Sequence, residues 1–343
     1  IPQDCCATTL GMRRCHGPAF GQPHRGPLIS AISGGWDKMT QIVPRSARRA
    51  ATDYAFSDAE FVRIADRARR EFGLHLPTAK KDLVYSRLVR RLRKLGLPDF
   101  RAYCDLLDGP RGGVEQIELL SALTTNVTQF FREEHHFRTL RETVLPPLIA
   151  AARAGRRVRL WSAGCSAGQE PYSLEFTVLA LCPEAETLDL RILATDVDPA
   201  ILAVARAGRY PKGEMKALPE SARGTMIHAG DDRGETLTVG PQPRALVRFG
   251  ELNLIKDWPI RGRFDIILCR NVAIYFDAEV QARLWTRFAS LMCDGGHLFI
   301  GHSERITGTA ASMLTTAGIT TYRKAGIGSD TDAPVRVVNG RPE

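Results

Sequence analysis

The amino-acid sequence predicts an α/β fold, in which an open, mostly parallel sheet with a small antiparallel β insertion follows an all-α N-terminal domain. Over residues 53–145, apolar residues recur at three- and four-residue spacing, which is typical of amphipathic helices. From residue 158 onward, short apolar strands alternate with helical segments, which favours parallel strands covered by helices. Residues 210–249 interrupt this alternation with glycine-containing turns and short β-like pieces such as TLTV and ALVRF, which predict the insertion.

The composition is that of an ordinary globular protein. The chain has 343 residues, of which 44% are hydrophobic and 25% are charged, so about two domains are expected. The sequence contains no run of about 18 apolar residues of the kind that spans a membrane. The formal net charge of +9 favours an acidic partner: a nucleic acid, a membrane surface or an acidic protein face. Eight cysteines without CxxC pairs predict reduced thiols, as in a cytosolic protein, and no metal site.

Changes in pattern along the chain suggest where its segments begin and end. In chain order, we expect an extension (1–52), a helical domain (53–138), a linker helix (139–155), the α/β domain (156–324, with the β insertion inside 210–249) and a disordered tail (325–343). The first 38 residues lack any periodicity, and Met39 opens a plausible bacterial start, MTQIVPRSARR. We therefore expect the native chain to begin at Met39.

The second predicted helix, KKDLVYSRLVRRLRKLG, carries its apolar and basic residues on different faces. Val84, Leu88, Leu92 and Leu95 form the apolar stripe, and Gly96 ends the helix. The basic residues are Lys80, Arg87, Arg90, Arg91 and Lys94. Two interpretations remain open: the basic face docks on an acidic partner, or it is the solvated face of an ordinary surface helix.

The first predicted strand of the α/β domain ends in a glycine-rich turn, WSAGCSAGQEPYS (residues 161–173). Such a strand-to-helix turn suits nucleotide binding, but the lysine of a Walker motif and the third glycine of a dinucleotide fingerprint are absent. Glu170 stands in the turn instead, and a carboxylate there suits a cationic ligand. The alternative is a tight turn whose glutamate caps the following helix.

Polar residues also follow the other predicted strands. Asp196 and Asp198 end the segment LRILATDVD, and we expect Asp196 to accept hydrogen bonds from ribose hydroxyls and Asp198 to cap the next helix. Arg270 and Asn271 end the strand FDIILC, and Tyr275 follows one helical turn later. The structural alternatives are that the aspartates only cap the helix, that Arg270 pairs with a surface acid, and that Tyr275 belongs to the core.

The segment TTNVTQFFRE (residues 124–133) precedes the α/β domain and places hydroxyl and amide residues before Phe130, Phe131 and Arg132. Its alternative interpretation is a loop and helix cap that two phenylalanines anchor in the core.

Taken together, these stretches resemble the CheR-type chemotaxis receptor methyltransferases, which are protein-glutamate O-methyltransferases. The resemblance extends over residues 56–324 and is carried by the motifs SRLVRRLRKLG (86–96), TTNVTQFFRE (124–133), AGCSAGQEPYSLE (163–175), ATDVD (194–198), NL (253–254), CRNVAIYFD (269–277) and GHSE (301–304). It implies a class I, Rossmann-like methyltransferase domain, S-adenosylmethionine as the cofactor, S-adenosylhomocysteine as the product, and no metal. The implied substrate is the cytoplasmic helical domain of methyl-accepting chemotaxis receptors, to which a cytoplasmic, monomeric enzyme is recruited.

The resemblance also implies roles for individual residues. The cofactor would be contacted by Asn126, Thr128, Arg132, Glu170, Asp196, Asn253, Leu254, Arg270 and Asn271. Asp196 would bind the ribose, and Asn253 and Leu254 would flank the adenine. Arg132 and Tyr275 would stand closest to the transferred methyl group and are the expected catalytic residues. The expected receptor-docking residues are Arg87, Arg90, Arg91 and Lys94.

The chemistry of this reaction agrees with the residues present. A glutamate side chain has a pKa of about 4.3, so it is already an ionised nucleophile near pH 7 and needs no general base. Two alternatives stay open: a nucleic-acid methyltransferase, and a non-catalytic module that binds S-adenosylmethionine or its product.

Overall fold

The structure, a computed structural model, describes residues 54–110, 112–125, 127–214, 218, 227–230 and 233–326. These residues form an all-α layer, a seven-stranded mixed sheet covered by helices, and a separate three-stranded antiparallel sheet. The predicted fold class is therefore confirmed. The predicted extension with its start at Met39, the predicted tail from residue 327 onward, and Asn126 lie outside the described residues.

The all-α layer contains four amphipathic helices: α1 (Asp58–Phe72), α2 (Lys81–Leu95), α3 (Phe100–Asp108) and α4 (Gly112–Leu123). A capping box begins α1, because the Ser57 hydroxyl accepts from Glu60 N while the Glu60 carboxylate accepts from Ser57 N. The left-handed Gly96 (φ 65°) ends α2, as the sequence predicts. Their apolar faces meet in one buried cluster that includes Ile64, Leu88 and Tyr103.

A long helical segment leads from this layer to the sheet. It consists of α5 (Glu134–Thr139), a π-helical turn (Leu140–Val144) and α6 (Leu145–Arg153), and it begins five residues before the predicted linker helix (139–155). Pro146 and Pro147 lie in the first turn of α6 and have no N–H to donate to the preceding turn. The backbone widens there, which accounts for the π-helical turn.

The strands are β1 (Val158–Ala163), β2 (Leu190–Asp196), β3 (Arg209–Pro211), β4 (Ile227–Ala229), β5 (Thr236–Val239), β6 (Val247–Glu251), β7 (Phe264–Cys269), β8 (Met292–Ile300), β9 (Leu314–Gly318) and β10 (Thr321–Lys324). The helices between them are α7 (Gln169–Leu181), α8 (Pro199–Ala207), α9 (Pro241–Leu246), α10 (Ala278–Leu291) and α11 (Ala310–Met313). The main sheet has the order β6-β2-β1-β7-β8-β10-β9, in which β10 is antiparallel to both of its neighbours and the other pairs are parallel. The small sheet has the order β3-β5-β4.

The sheet separates two apolar cores, because successive side chains of a strand point to opposite faces. Leu160 of β1 packs into the core with α6 and α7, whereas its neighbour Trp161 packs into the core with α10. The chain order reverses between β1 and β7, so the crevice beyond their carboxyl ends is the expected ligand site of such a sheet.

Two strands differ from the prediction. The piece ALVRF was assigned to the antiparallel insertion, but Val247–Glu251 pairs in parallel with β2 at the edge of the main sheet. Val247 is buried in the main core, and short apolar runs do not reveal which sheet they join. Strand β9 was not predicted, because only Leu314 of its five residues is buried and the alternating pattern is missing.

Candidate functional site

A cavity of about 640 Å³ lies beyond the carboxyl ends of the parallel strands. Its wall comes from both layers, since Phe72, Leu120 and Thr125 of the all-α layer face Gly164 and Leu252 of the sheet layer across it. The predicted site residues that line it are Thr128, Arg132, Glu170, Asp196, Asn253, Leu254, Arg270, Asn271 and Tyr275. The fold therefore brings together residues from five separate motifs of the sequence.

The turn after β1 has backbone angles that few residue types adopt easily. Gly164 has φ 80°, and a Cβ there would lie 2.4 Å from Val272 Cγ2, so only glycine allows the two strand-end loops to meet. Ser166 also takes a left-handed φ of 49°. This turn brings Glu170 back to β1, where the Ser162 hydroxyl donates to Glu170 Oε1 at 2.6 Å.

The two aspartates after β2 have different partners. Asp198 Oδ1 accepts from Ala200 N at 2.8 Å and Ile201 N at 3.3 Å, which confirms its predicted role as the cap of α8. Both aspartates line the cavity, but Asp196 accepts from Ser166 N at 2.8 Å and Asp198 N at 3.1 Å and does not cap α8. Burial raises the pKa of Asp196, and these backbone N–H groups act against that rise.

Arg270 is almost completely enclosed, with 2% of its side chain exposed. Its guanidinium lies 3.3 Å from both Glu133 Oε2 and Glu170 Oε2, and it donates to the carbonyl oxygen of Arg132. The Phe137 ring lies 5.5 Å from the guanidinium carbon. The pKa of Glu170 is raised, because burial outweighs the opposing effects of Arg270 and the Ser162 hydroxyl. Arg270 thus balances acids from two elements that are distant in the sequence.

Glu133 belongs to this site, although the sequence did not indicate it. It begins α5 in a left-handed conformation (φ 57°), and its Oε1 accepts from His302 N at 3.2 Å and Asn271 Nδ2 at 3.5 Å. Burial acts to raise the pKa of Glu133, but Arg270, His302 and His136 outweigh burial and lower it to about 2. The only sequence signal was its place directly after Arg132 in a shared motif.

Glu304 is a second residue that the sequence did not indicate, although its motif GHSE was noted. It is 3% exposed, and its carboxylate accepts from the backbone N–H groups of Asn271, Val272, Ala273 and Gly301. Burial raises the pKa of Glu304, and these N–H groups act against that rise. A glutamate surrounded by small and polar residues gives no sequence signal for such a contact.

Arg132 and Tyr275, the expected catalytic residues, line the cavity and are both partly exposed. Arg132 Nη1 donates to Val127 O at 3.2 Å, and within the described residues no carboxylate pairs with its guanidinium. The Tyr275 hydroxyl accepts from Thr125 N and donates to Thr125 O, both at 3.2 Å. Tyr275 therefore joins the all-α layer to the strand-end loop that follows β7.

Asn253 and Leu254 line the cavity in the loop after β6. The Asn253 side chain donates to Glu71 O at 2.7 Å and accepts from Ile255 N at 3.0 Å. Its amide therefore attaches the loop to the C-terminal end of α1 and leaves Leu254, which is 7% exposed, against the cavity.

The expected docking residues of α2 fall into two groups. Arg87 donates to the carbonyl oxygens of Leu123 and Thr124 at the end of α4, and Arg91 forms a two-bond ion pair with Glu115 at 2.6 and 2.7 Å. Arg90 and Lys94 are exposed. The accessible basic surface of α2 is thus Arg90, Lys94 and the unpredicted Arg93, because the helix packs Arg87 and Arg91 against α4.

The described residues show neither a metal-binding cluster nor a helix suited to span a membrane. They contain no group of three or more His, Cys, Asp or Glu side chains arranged to hold a metal ion. None of the helices in this part of the chain combines the length and apolar character that a bilayer span requires.

Known protein families match both layers. Residues 59–124 match the family described as CheR methyltransferase, all-alpha domain, and residues 126–323 match the family described as CheR methyltransferase, SAM binding domain. The second match covers both sheets up to residue 323 and most of the residues that line the cavity, so the chain belongs to the class of methyltransferases with an S-adenosylmethionine-binding domain.

Individual relatives agree with these matches. A probable chemotaxis protein methyltransferase of Rhizobium etli is 49% identical over 252 residues, which covers 73% of this chain and 94% of that protein. Chemotaxis protein methyltransferase 2 of Pseudomonas aeruginosa is 38% identical over 280 residues, covering 80% and 95%. The chemotaxis protein methyltransferase of Escherichia coli is 40% identical over 267 residues, covering 74% and 86%. The chain belongs to the CheR methyltransferase family.

Proposed function

We propose that this protein transfers the methyl group of S-adenosylmethionine to glutamate side-chain carboxylates of chemotaxis receptors, giving glutamate methyl esters and S-adenosylhomocysteine. The observation that carries the proposal is the position of Arg132, which lines the same cavity as the acids Glu170 and Asp196. Such a cation can receive a substrate carboxylate beside a cationic cofactor. The names of the relatives, chemotaxis protein methyltransferases, support this acceptor.

The residues of the cavity fit S-adenosylmethionine. A volume of about 640 Å³ is within the usual range for a ligand of this size. Asp196 offers carboxylate oxygens for ribose hydroxyls, and Leu254 offers an apolar surface for the adenine beside Asn253. Asn271 Oδ1 is buried and has no hydrogen-bond partner among the described residues, so it can accept from the ammonium group of the methionine part.

The remaining cofactor contacts come from the segment that joins the two layers. Thr128 and Arg132 line the cavity from this side. We infer from the motif TTNVTQFFRE that Asn126, which lies outside the described residues, is a further cofactor contact.

The chain would accelerate the transfer mainly by placement. The bound cofactor supplies an electrophilic methyl group on a sulfonium, and the incoming glutamate is already ionised, so no side chain has to remove a proton. Arg132 orients the carboxylate in line with the methyl group. Tyr275 holds Thr125 in the cavity wall through two hydrogen bonds. An arginine that held the carboxylate too tightly would slow the reaction, because charge is partly neutralised in the transition state.

Docking of the receptor would use the exposed basic residues of α2. Glutamate-bearing helices in the cytoplasmic domain of chemotaxis receptors are acidic, and Arg90, Arg93 and Lys94 offer a complementary surface. The enzyme would act as a cytoplasmic monomer that is recruited to its membrane receptors.

The test is incubation with labelled S-adenosylmethionine and receptor cytoplasmic domains, followed by mild base. We expect base-labile label on the receptor, which identifies a methyl ester. Arg132→Ala should lower the transfer rate at saturating cofactor, whereas Arg138→Ala, an exposed arginine of α5, should not. Base-stable label, label on RNA, or wild-type turnover by Arg132→Ala with cofactor bound would each contradict the proposal.

A further inference from the structure

We propose that Glu304 is a positioning residue, whose carboxylate holds Asn271 and the turn before Tyr275 in the conformation that binds the cofactor. This inference rests on the proposed function for the identity of the cofactor. Glu304 does not line the cavity, so it would act only through the residues that it holds.

Four backbone N–H groups surround the Glu304 carboxylate. Glu304 Oε2 accepts from Gly301 N at 2.5 Å and Asn271 N at 3.1 Å, and Oε1 accepts from Val272 N at 3.0 Å and Ala273 N at 2.7 Å. The donors come from the ends of β7 and β8, so one side chain joins two neighbouring strand ends. Three of them are consecutive residues, which fixes the path of the chain away from β7.

That path gives Asn271 a left-handed conformation. Its φ is 60°, a value that asparagine tolerates better than most non-glycine residues but that still needs contacts to hold it. The bond from Asn271 N to Glu304 holds this conformation, and the Asn271 side chain then donates to Glu133 Oε1 at 3.5 Å. As a result, Asn271 is held in the cavity wall, and its buried Oδ1 has no hydrogen-bond partner among the described residues.

The same carboxylate begins the short turn that carries Tyr275. Ala273–Tyr275 forms a 3-10 turn, and its first N–H groups point at Glu304 instead of at solvent. The Tyr275 hydroxyl reaches Thr125 from the end of this turn. Glu304 therefore sets the position of two residues that line the cavity. Asn271 would contact the cofactor, and Tyr275 contacts Thr125.

The experiment measures binding of S-adenosylhomocysteine to purified protein by calorimetry, without any receptor. Glu304→Gln keeps the size of the side chain but turns an amide N–H group toward backbone donors, so we expect the Kd to rise at least tenfold. Glu142→Gln, which alters an exposed carboxylate of the long helical segment, should leave the Kd unchanged.

A double-mutant cycle separates positioning from a general loss of stability. If Glu304 acts through Asn271, adding Asn271→Ala to Glu304→Gln should weaken binding little beyond the larger single effect. Losses that multiply would overturn the inference, as would a Kd for Glu304→Gln within twofold of the wild type.

Gly301→Ala provides a second perturbation if Glu304→Gln fails to fold. A Cβ at residue 301 would lie 2.5 Å from Asn271 Nδ2 and 2.9 Å from Glu304 Oε2, so it pushes on the same contact. We expect weaker binding of at least fivefold, whereas Gly113→Ala, where a Cβ meets nothing within 4 Å, should bind normally. Normal binding by Gly301→Ala would overturn the inference. Because the readout needs no receptor, failure of receptor methylation is a separate result.

Discussion

Replacing Glu133 with glutamine should lower the free energy of unfolding by about 3 kcal/mol at pH 7, for which two lines of reasoning agree. The pKa of Glu133 is lowered to about 2 from its ordinary 4.5, because Arg270 and His302 outweigh the opposing effect of burial. At about 1.36 kcal/mol for each pKa unit, the charged form is favoured in the fold by about 3 kcal/mol. Independently, removal of one partner from a buried ion pair costs about 3–5 kcal/mol, and the low end applies here because Arg270, 2% exposed, keeps its contact with Glu170.

The measurement is urea denaturation of the wild type and Glu133→Gln at several pH values. A depressed pKa in the folded state stabilises the fold fully above pH 4.5, and this contribution is lost as the pH falls toward 2. The gap between the two proteins should therefore shrink below about pH 4. Glu142→Gln is the control, since its side chain is 60% exposed and a change below about 0.5 kcal/mol is expected. A gap under about 1 kcal/mol at pH 7 would refute the reasoning.

Three other outcomes test separate parts of the molecule. Tyr275→Phe removes two hydrogen bonds to Thr125 and should slow methyl transfer by about tenfold at saturating cofactor, and an unchanged rate contradicts this role. Charge reversal at Arg90 should raise the receptor KM without changing stability, whereas Arg91→Ala should lower the unfolding free energy by about 3 kcal/mol, which thermal and urea denaturation measure. Burial lowers the pKa of His136 to about 3 from 6.5, so only the unfolded state binds this proton near pH 5. Between pH 8 and pH 5 the wild type should therefore lose about 2 kcal/mol more stability than His136→Gln, and equal losses would exclude this cause.

Several of the residues that could be predicted from the sequence share one property: they lie at the end of an apolar strand or in the turn that follows it. In a parallel sheet such positions must converge on one edge, so Glu170, Asp196, Arg270 and Asn271 line the same cavity although long stretches of chain separate them. Gly96 as the end of α2 and Asp198 as the cap of α8 were also predictable, because each role depends on a few neighbouring residues.

Other contacts depend on the packing of distant elements. Glu133 and Arg270 are 137 residues apart, and nothing local to either residue indicates that they pair. The basic stripe of α2 was visible from helical spacing, but spacing does not show that α4 presents Glu115 to Arg91. A periodic pattern identifies a face, and only the neighbouring helix decides which of its charges remain accessible.

Arg87 has a consequence that extends beyond its own helix. From the basic helix α2 it donates to the carbonyl oxygens of Leu123 and Thr124 and to the Thr125 hydroxyl, and Thr124 and Thr125 line the cavity. Arg87 therefore links α2, which carries the proposed docking residues, to the wall of the cavity. If binding of a receptor shifts α2 and with it Thr124 and Thr125, the free energy of cofactor binding would change, and thermodynamic reciprocity requires the same coupling in the other direction. Receptor and cofactor would then each report the presence of the other.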